Sequence, residues 1–365
     1  LKIVQFIPGA GSWGDLTPDT MRDKGLGGRE TALVQLAEAW ADAGHEVINF
    51  VPTETPVRYN RDNGGSSHYV GARSAGDYLV NFGADVLISW EEPRIFREPR
   101  IRKNVRLGII EMQVANMVQT EEQDDAVDFY AVLSEWAGRY LVEQDPYINR
   151  EKLVVFPNGV DMSRYETLQL GRKNDVPKFY YSSSPDRGLI NLLRVWPQLT
   201  ERFPGAEINI AYGLDHWINA IKFSHNMHAG VAVELLELVK QPGVRYLGRI
   251  GQNELARVQQ ACDALLYPCD TMQPTETGCI TVVEAGAASA PALITDCDCL
   301  GAEFGESAPM VHLPFQGDAY VNMVDEILND EKAVKFYQER GYELAESRHW
   351  PLIAQQWLNF FEEQL

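Results

Sequence analysis

Short apolar runs alternate along the chain with amphipathic stretches, and this alternation sets the expected fold class. In the first half, Lys2–Ile7, Glu46–Val51, Val86–Trp90, Val105–Ile110, Phe129–Leu133 and Leu153–Phe156 read as strands. After the first of them comes a long loop, then Thr31–Ala43, which places Leu33, Leu36, Ala37 and Trp40 at helical spacing and stops at Gly44. The second half restarts the pattern. Lys178–Ser182 is a strand, Leu189–Arg202 a helix ending near Pro204-Gly205, and Glu207–Tyr212 a strand. Glu234–Lys240, Val244–Leu247, Glu254–Cys262, Ala264–Tyr267, Thr281–Ala288 and Ala292–Thr295 continue it. Strands that alternate with helices predict an α/β protein with mainly parallel sheets, here in two doubly wound halves.

The join between the halves is the polar stretch Glu166–Val176. We expect an N-terminal domain over 1–165, a C-terminal domain over 166–345 and a terminal helix over 346–365. Asp318–Leu328, Glu331–Glu346 and Pro351–Glu363 all read as amphipathic helices, the last with Ile353, Trp357, Phe360 and Phe361 on one side. Such a helix is expected to cross back onto the N-terminal domain. The length of 365 residues suits two domains of roughly 150–200 residues each.

Composition narrows the partners. A formal charge of −20 repels nucleic acid and anionic lipid as general partners. It also repels a nucleotide, which would need local arginines and backbone N–H groups. No apolar run approaches the ~20 residues that span a bilayer, and a strand stands at the very start, so a cytoplasmic location is expected. The five cysteines, Cys262, Cys269, Cys279, Cys297 and Cys299, read as reduced, partly buried thiols rather than a metal site. Asp296-Cys-Asp298 has the spacing of a metal pair but reads as a loop. Arg94, Arg97, Arg100, Arg102, Lys103 and Arg106 form a basic cluster that reads as a solvated surface, with an anionic acceptor or membrane face as the alternative.

Several short motifs carry candidate chemistry. Gly9-Ala-Gly-Ser-Trp-Gly14 matches the dinucleotide-binding G-x-G-x-x-G pattern after a strand. No helix opens directly behind it, so a loop beside a cleft is the better reading. Glu276-Thr-Gly-Cys-Ile-Thr-Val-Val-Glu284 is the strongest constellation. A helix starting near Ile280 or Thr281 would point first-turn N–H groups at a diphosphate. Glu284, a turn inside, could reach a hydroxyl pair such as a ribose; Glu276, outside, could accept from sugar hydroxyls. Capping and solvation are the plainer roles for the two carboxylates, but Glu284 is followed by Ala-Gly-Ala-Ala, which marks close packing.

Tyr181-Ser-Ser-Ser-Pro-Asp-Arg187-Gly188-Leu189 lies at a strand end before a helix, where ligands bind in open α/β sheets. Its hydroxyls and Arg187 suit phosphate oxygens. Lys24-Gly-Leu-Gly27-Gly28-Arg29-Glu30 places paired glycines at a helix start, where an anion or a sugar can approach the backbone. Phe156-Pro-Asn-Gly-Val-Asp161 reads as an architectural turn before the linker.

In combination and in order, these segments resemble glycosyltransferase family 4, the retaining group 1 glycosyl transferases of GT-B fold. The resemblance runs from Gly27-Gly-Arg-Glu30 and LAEAWADAGHEV through Ala131-Val-Leu-Ser134-Glu-Trp, FPNGVD and SSPDRGL. It continues through Tyr246-Leu-Gly248-Arg249-Ile250, Ala264-Leu-Leu-Tyr-Pro268, the paired glutamates and Trp350.

The resemblance implies two Rossmann-like domains facing a cleft and transfer of a sugar, with retention, from a UDP- or GDP-sugar to an acceptor it does not name: a glycan, a lipid or a small molecule. It implies no further cofactor and no metal. Glu284 would bind the ribose, Glu276 the donor sugar and Arg187 the diphosphate. Backbone groups at Gly278, Cys279, Ile280 and Thr281 would meet phosphates and sugar, Arg249 and Ile250 the base, and Gly28 the diphosphate. Two positions depart from the family. Ser182 or Ser183 stands where a second basic residue is usual, and Glu111-Met112-Gln113 where a histidine is usual. The histidine's role would pass to Glu111 or Gln113, which makes Arg187, Glu276 and Glu111 the expected catalytic residues. The alternatives are a GT-B nucleotide-sugar epimerase and a nucleotide-sugar-binding protein with weak turnover.

Overall fold

The computed structural model describes residues 1–9, 14–113, 124–214, 229–271 and 274–365. Residues 10–13 of the glycine motif therefore lie outside the described residues. The chain divides into two compact units: Leu1–Arg22, Leu26–Gly159 and Arg348–Leu365 form the first, and Asp23–Gly25 with Val160–Ser347 the second.

The sheet of the first unit contains β1 (Lys2–Phe6), β2 (Glu46–Val51), β3 (Val57–Asn60), β4 (Ser66–Gly71), β5 (Ala84–Trp90), β6 (Val105–Met112), β7 (Phe129–Val132) and β8 (Leu153–Val155). Its order is β3-β4-β2-β1-β5-β6-β7-β8, parallel throughout except for the β3–β4 hairpin. Sequence patterning does not reveal that hairpin, because β3 is a four-residue edge strand with only Val57 and Tyr59 turned toward the core. Successive strand residues feed opposite faces. Ile3, Val47, Val86, Ile88 and Ile109 enter one core, and Val4, Ile48, Leu87 and Ile110 the other.

Helices cover both faces: α1 (Pro18–Lys24), α2 (Gly28–Asp42), α3 (Ala75–Phe82), α4 (Pro99–Asn104) and α5 (Glu135–Gln144) come in chain order, and Trp350–Gln364 returns from the far end of the chain. This last helix buries Trp350, Ile353, Trp357 and Phe361 in the same core as Trp40 and Phe156. Trp357 stacks on Phe156 with ring centroids 4.0 Å apart, and Trp40 Nε1 donates to Ala354 O at 3.2 Å.

The second unit holds β9 (Lys178–Tyr181), β10 (Glu207–Ile210), β11 (Val244–Tyr246), β12 (Ala264–Tyr267), β13 (Ala292–Thr295) and β14 (Met310–Val311). Their order is β11-β10-β9-β12-β13-β14, all parallel. Counted along the unit this is 3-2-1-4-5-6, so the strand order reverses between β9 and β12. In open α/β sheets that reversal is where ligands bind, outside the carboxyl ends of the strands. The described helices are α6 (Leu189–Arg202), α7 (Ala229–Leu238), α8 (Gln252–Ala261), α9 (Ile280–Ala287), α10 (Leu300–Phe304), α11 (Gly317–Asn329) and α12 (Glu331–Ser347). The helix Trp350–Gln364 is accordingly α13. Among the described residues no helix is long and apolar enough to cross a membrane.

Candidate active site

The turn from β9 into α6 lies at the strand-order reversal of the second unit, and its shape depends on Gly188. That residue has φ +86°, and a Cβ there would stand 1.9 Å from Pro268 O, just beyond β12. Only glycine lets the two strand ends close this far. The closure brings Arg187 against the loop that follows β12. Its guanidinium donates to Thr275 Oγ1, and its Nε lies 3.6 Å from Glu276 Oε2.

Glu276 is 6% exposed. It accepts from Tyr267 Oη at 2.5 Å, and Tyr267 Oη lies 3.1 Å from Ser183 Oγ. Burial raises the carboxyl's pKa, and neither Arg187 nor the Tyr267 hydrogen bond cancels that rise. For Arg187 the balance is opposite. Burial lowers its pKa, but Glu276 together with Tyr267, Asp186 and Cys269 outweighs this and holds the guanidinium above its ordinary value. A fixed cation thus sits beside a carboxylate whose pKa burial has raised.

The Glu276 loop is shaped by Asp298, a residue that sequence reading leaves in a loop without a role. Its Oδ2 accepts from Thr271 Oγ1 at 2.7 Å and from the backbone N–H groups of Thr275 and Glu276 at 3.0 Å each. Asp296 is engaged elsewhere, by His312 Nδ1 at 2.6 Å and Leu313 N at 2.8 Å.

Helix α9 begins directly after this loop. Cys279 is its N-cap and makes no side-chain cap hydrogen bond; Ile280 and Thr281 form its first turn. Thr281 Oγ1 hydrogen-bonds Ser182 Oγ, which ties the α9 N-terminus to the β9 turn. Glu284, one turn in, is 3% exposed. Gln259 Nε2 donates to it at 3.0 Å, and Gln259 Oε1 accepts from Tyr165 Oη at 2.7 Å. Burial raises the Glu284 pKa against the pull of Arg164 and Gln259. Close packing of α9 has a specific cause: a Cβ on Gly286 would stand 2.1 Å from Gly341 O of α12, so the two helices meet backbone to backbone.

Arg187, Ser182, Ser183, Glu276, Thr281 and Glu284 are thus gathered around the ends of β9 and β12, with Gly278, Cys279 and Ile280 in the connecting segment. Arg249 and Ile250 follow β11, the edge strand two places from β9, and are half-buried there. Sequence reading gives Tyr267 and Gln259 no role and weighs Asp298 only in the Asp296-Cys-Asp298 spacing. Tyr267 ends an apolar strand and reads as core, and Asp298 and Gln259 carry no local signal for their distant partners.

In the first unit Gly28 is the exposed first residue of α2, and Gly27 its N-cap. Glu111 is the penultimate residue of β6 and is 3% exposed. Gln113 Nε2 donates to its Oε1 at 2.7 Å, while its Oε2 has no hydrogen-bond partner. Burial, reinforced by the Glu91 charge, raises the Glu111 pKa well above the carboxylate range. Glu91 adopts φ 55° and pairs with Arg29, which also contacts Glu30 at 3.1 Å and Gly9 O at 3.3 Å. The three acidic side chains and Arg29 are therefore tied to the carboxyl ends of β1, β5 and β6. The adjacent pair Glu91-Glu92 directly after a strand was a usable sequence signal for part of this cluster. The basic stretch is largely paired: Arg94 with Glu92, Arg100 with Glu98, Arg102 with Asp128 and Arg106 with Asp85.

Residues 170–344, nearly the whole second unit, match the model of the family described as glycosyl transferases group 1. The chain resembles the group 1 glycosyl transferases and has the GT-B fold. A sucrose-phosphate synthase from Thermosynechococcus elongatus is 15% identical over 99% of this chain and 98% of its own, with a TM-score of 0.71. Alr3699/HepE from Anabaena, solved in complex with UDP and glucose, is 13% identical over 99% of both chains, with a TM-score of 0.69. A glycosyltransferase from Rickettsia africae is 14% identical over 100% of this chain and 98% of its own, with a TM-score of 0.69. A sequence comparison with curated proteins finds no match. The group 1 match spans Ser182, Ser183, Arg187, Arg249, Ile250, Glu276, Thr281 and Glu284.

Proposed function

We propose that the chain is a glycosyltransferase that moves a sugar from a nucleoside diphosphate sugar, UDP- or GDP-linked, onto an acceptor with retention of configuration. The observation that carries this reading is the packing of Arg187 and Glu276 at the strand-order reversal, beside the start of α9 and with Glu284 one turn inside it.

Each group has a role that follows from its chemistry. Glu284, buried and oriented by Gln259, accepts from the ribose hydroxyls. Arg187 and the N-terminal end of α9 hold the diphosphate, assisted by the hydroxyls of Ser182, Ser183 and Thr281. Glu276, oriented by Tyr267, accepts from hydroxyls of the donor sugar. Arg249 and Ile250 border the base. Gly28 and Glu111 of the first unit are proposed as further donor contacts, Glu111 in place of the usual histidine.

As the sugar–oxygen bond breaks, negative charge grows on the diphosphate. Arg187 and the aligned N–H dipoles of α9 stabilise it without reorganising, and removing one such donor typically costs ~10²–10³ in rate. In the retaining course the acceptor attacks the face the leaving group departs from, and a phosphate oxygen takes its proton. No dedicated protein base is then required. The UDP and glucose held by the HepE relative support a nucleotide-sugar donor here.

The test is a thermal-shift panel of UDP, GDP, ADP and their sugar conjugates on wild type and Glu284→Ala. A ligand at about 100 times its Kd adds about 2.7 kcal/mol of stability. A shift with one nucleotide that disappears in Glu284→Ala supports the reading, and no shift with any of them overturns it. Product formation that depends on added acceptor separates transfer from epimerisation or binding alone.

A further inference from the structure

A cavity of about 580 Å³ opens in the second unit between residues 170–175, which lead into β9, and the junction of α11 with α12. It lies at the amino-terminal end of the sheet, opposite the strand ends that carry Arg187 and Glu276. Arg172, Lys173 and Lys335 line it, against Asp175 and Glu331. The local balance is positive in a chain whose net charge is −20. The positive end of the α12 dipole, at Glu331, adds to that sign.

The lining is held firmly. Asp263 Oδ1 accepts from Lys173 N at 2.8 Å and Asn174 N at 3.1 Å, and its Oδ2 from Lys178 N at 2.8 Å. Gln338 of α12 accepts from Gly171 N at 2.7 Å and donates to Gly171 O at 3.0 Å. Lys173 Nζ is itself fixed, donating to Ala288 O at 2.8 Å. Lys335 and Glu331 pair across one helical turn at 2.6 Å. Cations held in place around a cavity need little ordering when an anion arrives.

We infer that this cavity is a second ligand site, separate from the donor-side residues, that binds a small phosphate-bearing anion through Arg172, Lys173 and Lys335. Polyvalent phosphate suits it better than a single carboxylate, because Arg172, Lys173 and Lys335, from two segments, all line it; Arg172 donates to Asn174 O and Asp175 O and would turn from them toward the anion. The dense charge of a phosphate can engage several of them at once.

Lys173 supplies a diagnostic signature. Burial lowers its pKa to about 8, against the pull of Cys262 and Asp263 in the other direction. The charged groups that line the cavity with it are Arg172, Lys335, Asp175 and Glu331. The Cys262 thiol is pushed up to about 11 by burial and stays protonated at pH 8. An anion beside Lys173 raises its pKa, so binding near pH 8 makes this lysine take up protons.

The experiment is calorimetric titration of inorganic pyrophosphate at pH 8 into the Arg187→Ala variant, which weakens donor-side phosphate binding. Two buffers of different ionisation heat are used. Saturable binding of one pyrophosphate is expected, and Lys173→Met in the same background shifts the net proton balance toward release, because the uptake by this lysine is gone while the pyrophosphate still gives up protons. Arg172→Ala with Lys335→Ala weakens binding by about tenfold or more, about 1.4 kcal/mol. It leaves the nucleotide shift of an otherwise wild-type protein unchanged, which shows that the variant is folded. No binding in Arg187→Ala, or binding indifferent to the Arg172 and Lys335 substitutions, overturns the site and leaves the donor reading intact. Pyrophosphate binding without any nucleotide shift in wild type keeps this site and removes that reading.

Discussion

Tyr267 and Glu276 form a buried phenol–carboxylate pair, with Oη donating to Oε2 at 2.5 Å. The tyrosine ends β12 and the glutamate lies nine positions on, so the loop between them folds back on its own strand. Removing the hydroxyl in Tyr267→Phe strands a buried acceptor, and a loss of about 1–3 kcal/mol is expected. The Glu276 pKa, already raised by burial, rises further. The difference from wild type is then largest while Glu276 is ionised and shrinks as pH falls and it protonates. Urea unfolding of both proteins at pH 7 and pH 4 measures this, and a pH-independent difference contradicts it.

Glu284 sets stability against binding. Its folded pKa lies above the ordinary value of 4.5 because of burial. A raised carboxyl pKa contributes stability that is fully present below the unfolded value and is lost as pH rises through the folded value. Glu284→Gln keeps an acceptor for Gln259 and carries no charge, so it is expected to melt above wild type at pH 7 and level with it near pH 4. Nucleotide affinity falls in the same variant. A variant that melts below wild type at pH 7 counts against this account of Glu284.

Asp298 acts on Glu276 through the backbone. Asp298→Ala deprives three donors of one acceptor and loosens the loop. A misplacement near 1 Å can cost about 10²-fold in rate. Bare nucleotide is expected to bind as before, because the Glu284 contacts remain, while the nucleotide sugar loses its extra stabilisation. Comparing the thermal shifts of the two ligands reads this out; an equal loss of both places Asp298 in general stability instead.

Gly188→Ala combines two penalties. A side chain at positive φ costs roughly 1–2 kcal/mol, and the added Cβ overlaps Pro268 O. A strongly lowered melting temperature is expected, together with loss of nucleotide binding, since the β9 turn carries Arg187. Wild-type melting would show that the two strand ends do not approach as described.

Trp357→Ala tests the C-terminal helix. The ring stacks on Phe156 and meets Trp40 edge-on in the core of the first unit. Truncating a buried tryptophan costs about 3–5 kcal/mol, and the whole loss should appear in denaturant unfolding monitored by fluorescence of the remaining tryptophans.

Much of this was legible in the chain. Period and punctuation marked most strands, because a sheet covered by helices demands apolar runs of strand length. The spacing of Glu276 and Glu284 marked a loop running into a helix. Ser182 through Gly188 were readable as a strand-to-helix turn with a cation in it. The β3–β4 hairpin was not readable, since a four-residue edge strand with two inward residues, Val57 and Tyr59, leaves too short a pattern.

Partners distant in sequence were also illegible. Gln259 meets Glu284, Asp298 meets the Glu276 backbone, and Arg29 meets Glu91, each through sheet register and helix packing that no local window contains. Composition and spacing alone determined the α/β class, the candidate carboxylates and the arginine, because helix period, strand length and turn chemistry are local properties. Tertiary structure alone decided which carboxylates are buried, which way their protons are biased and what holds them in place. Those depend on desolvation and on hydrogen bonds between segments, which come into being only when the strand ends meet.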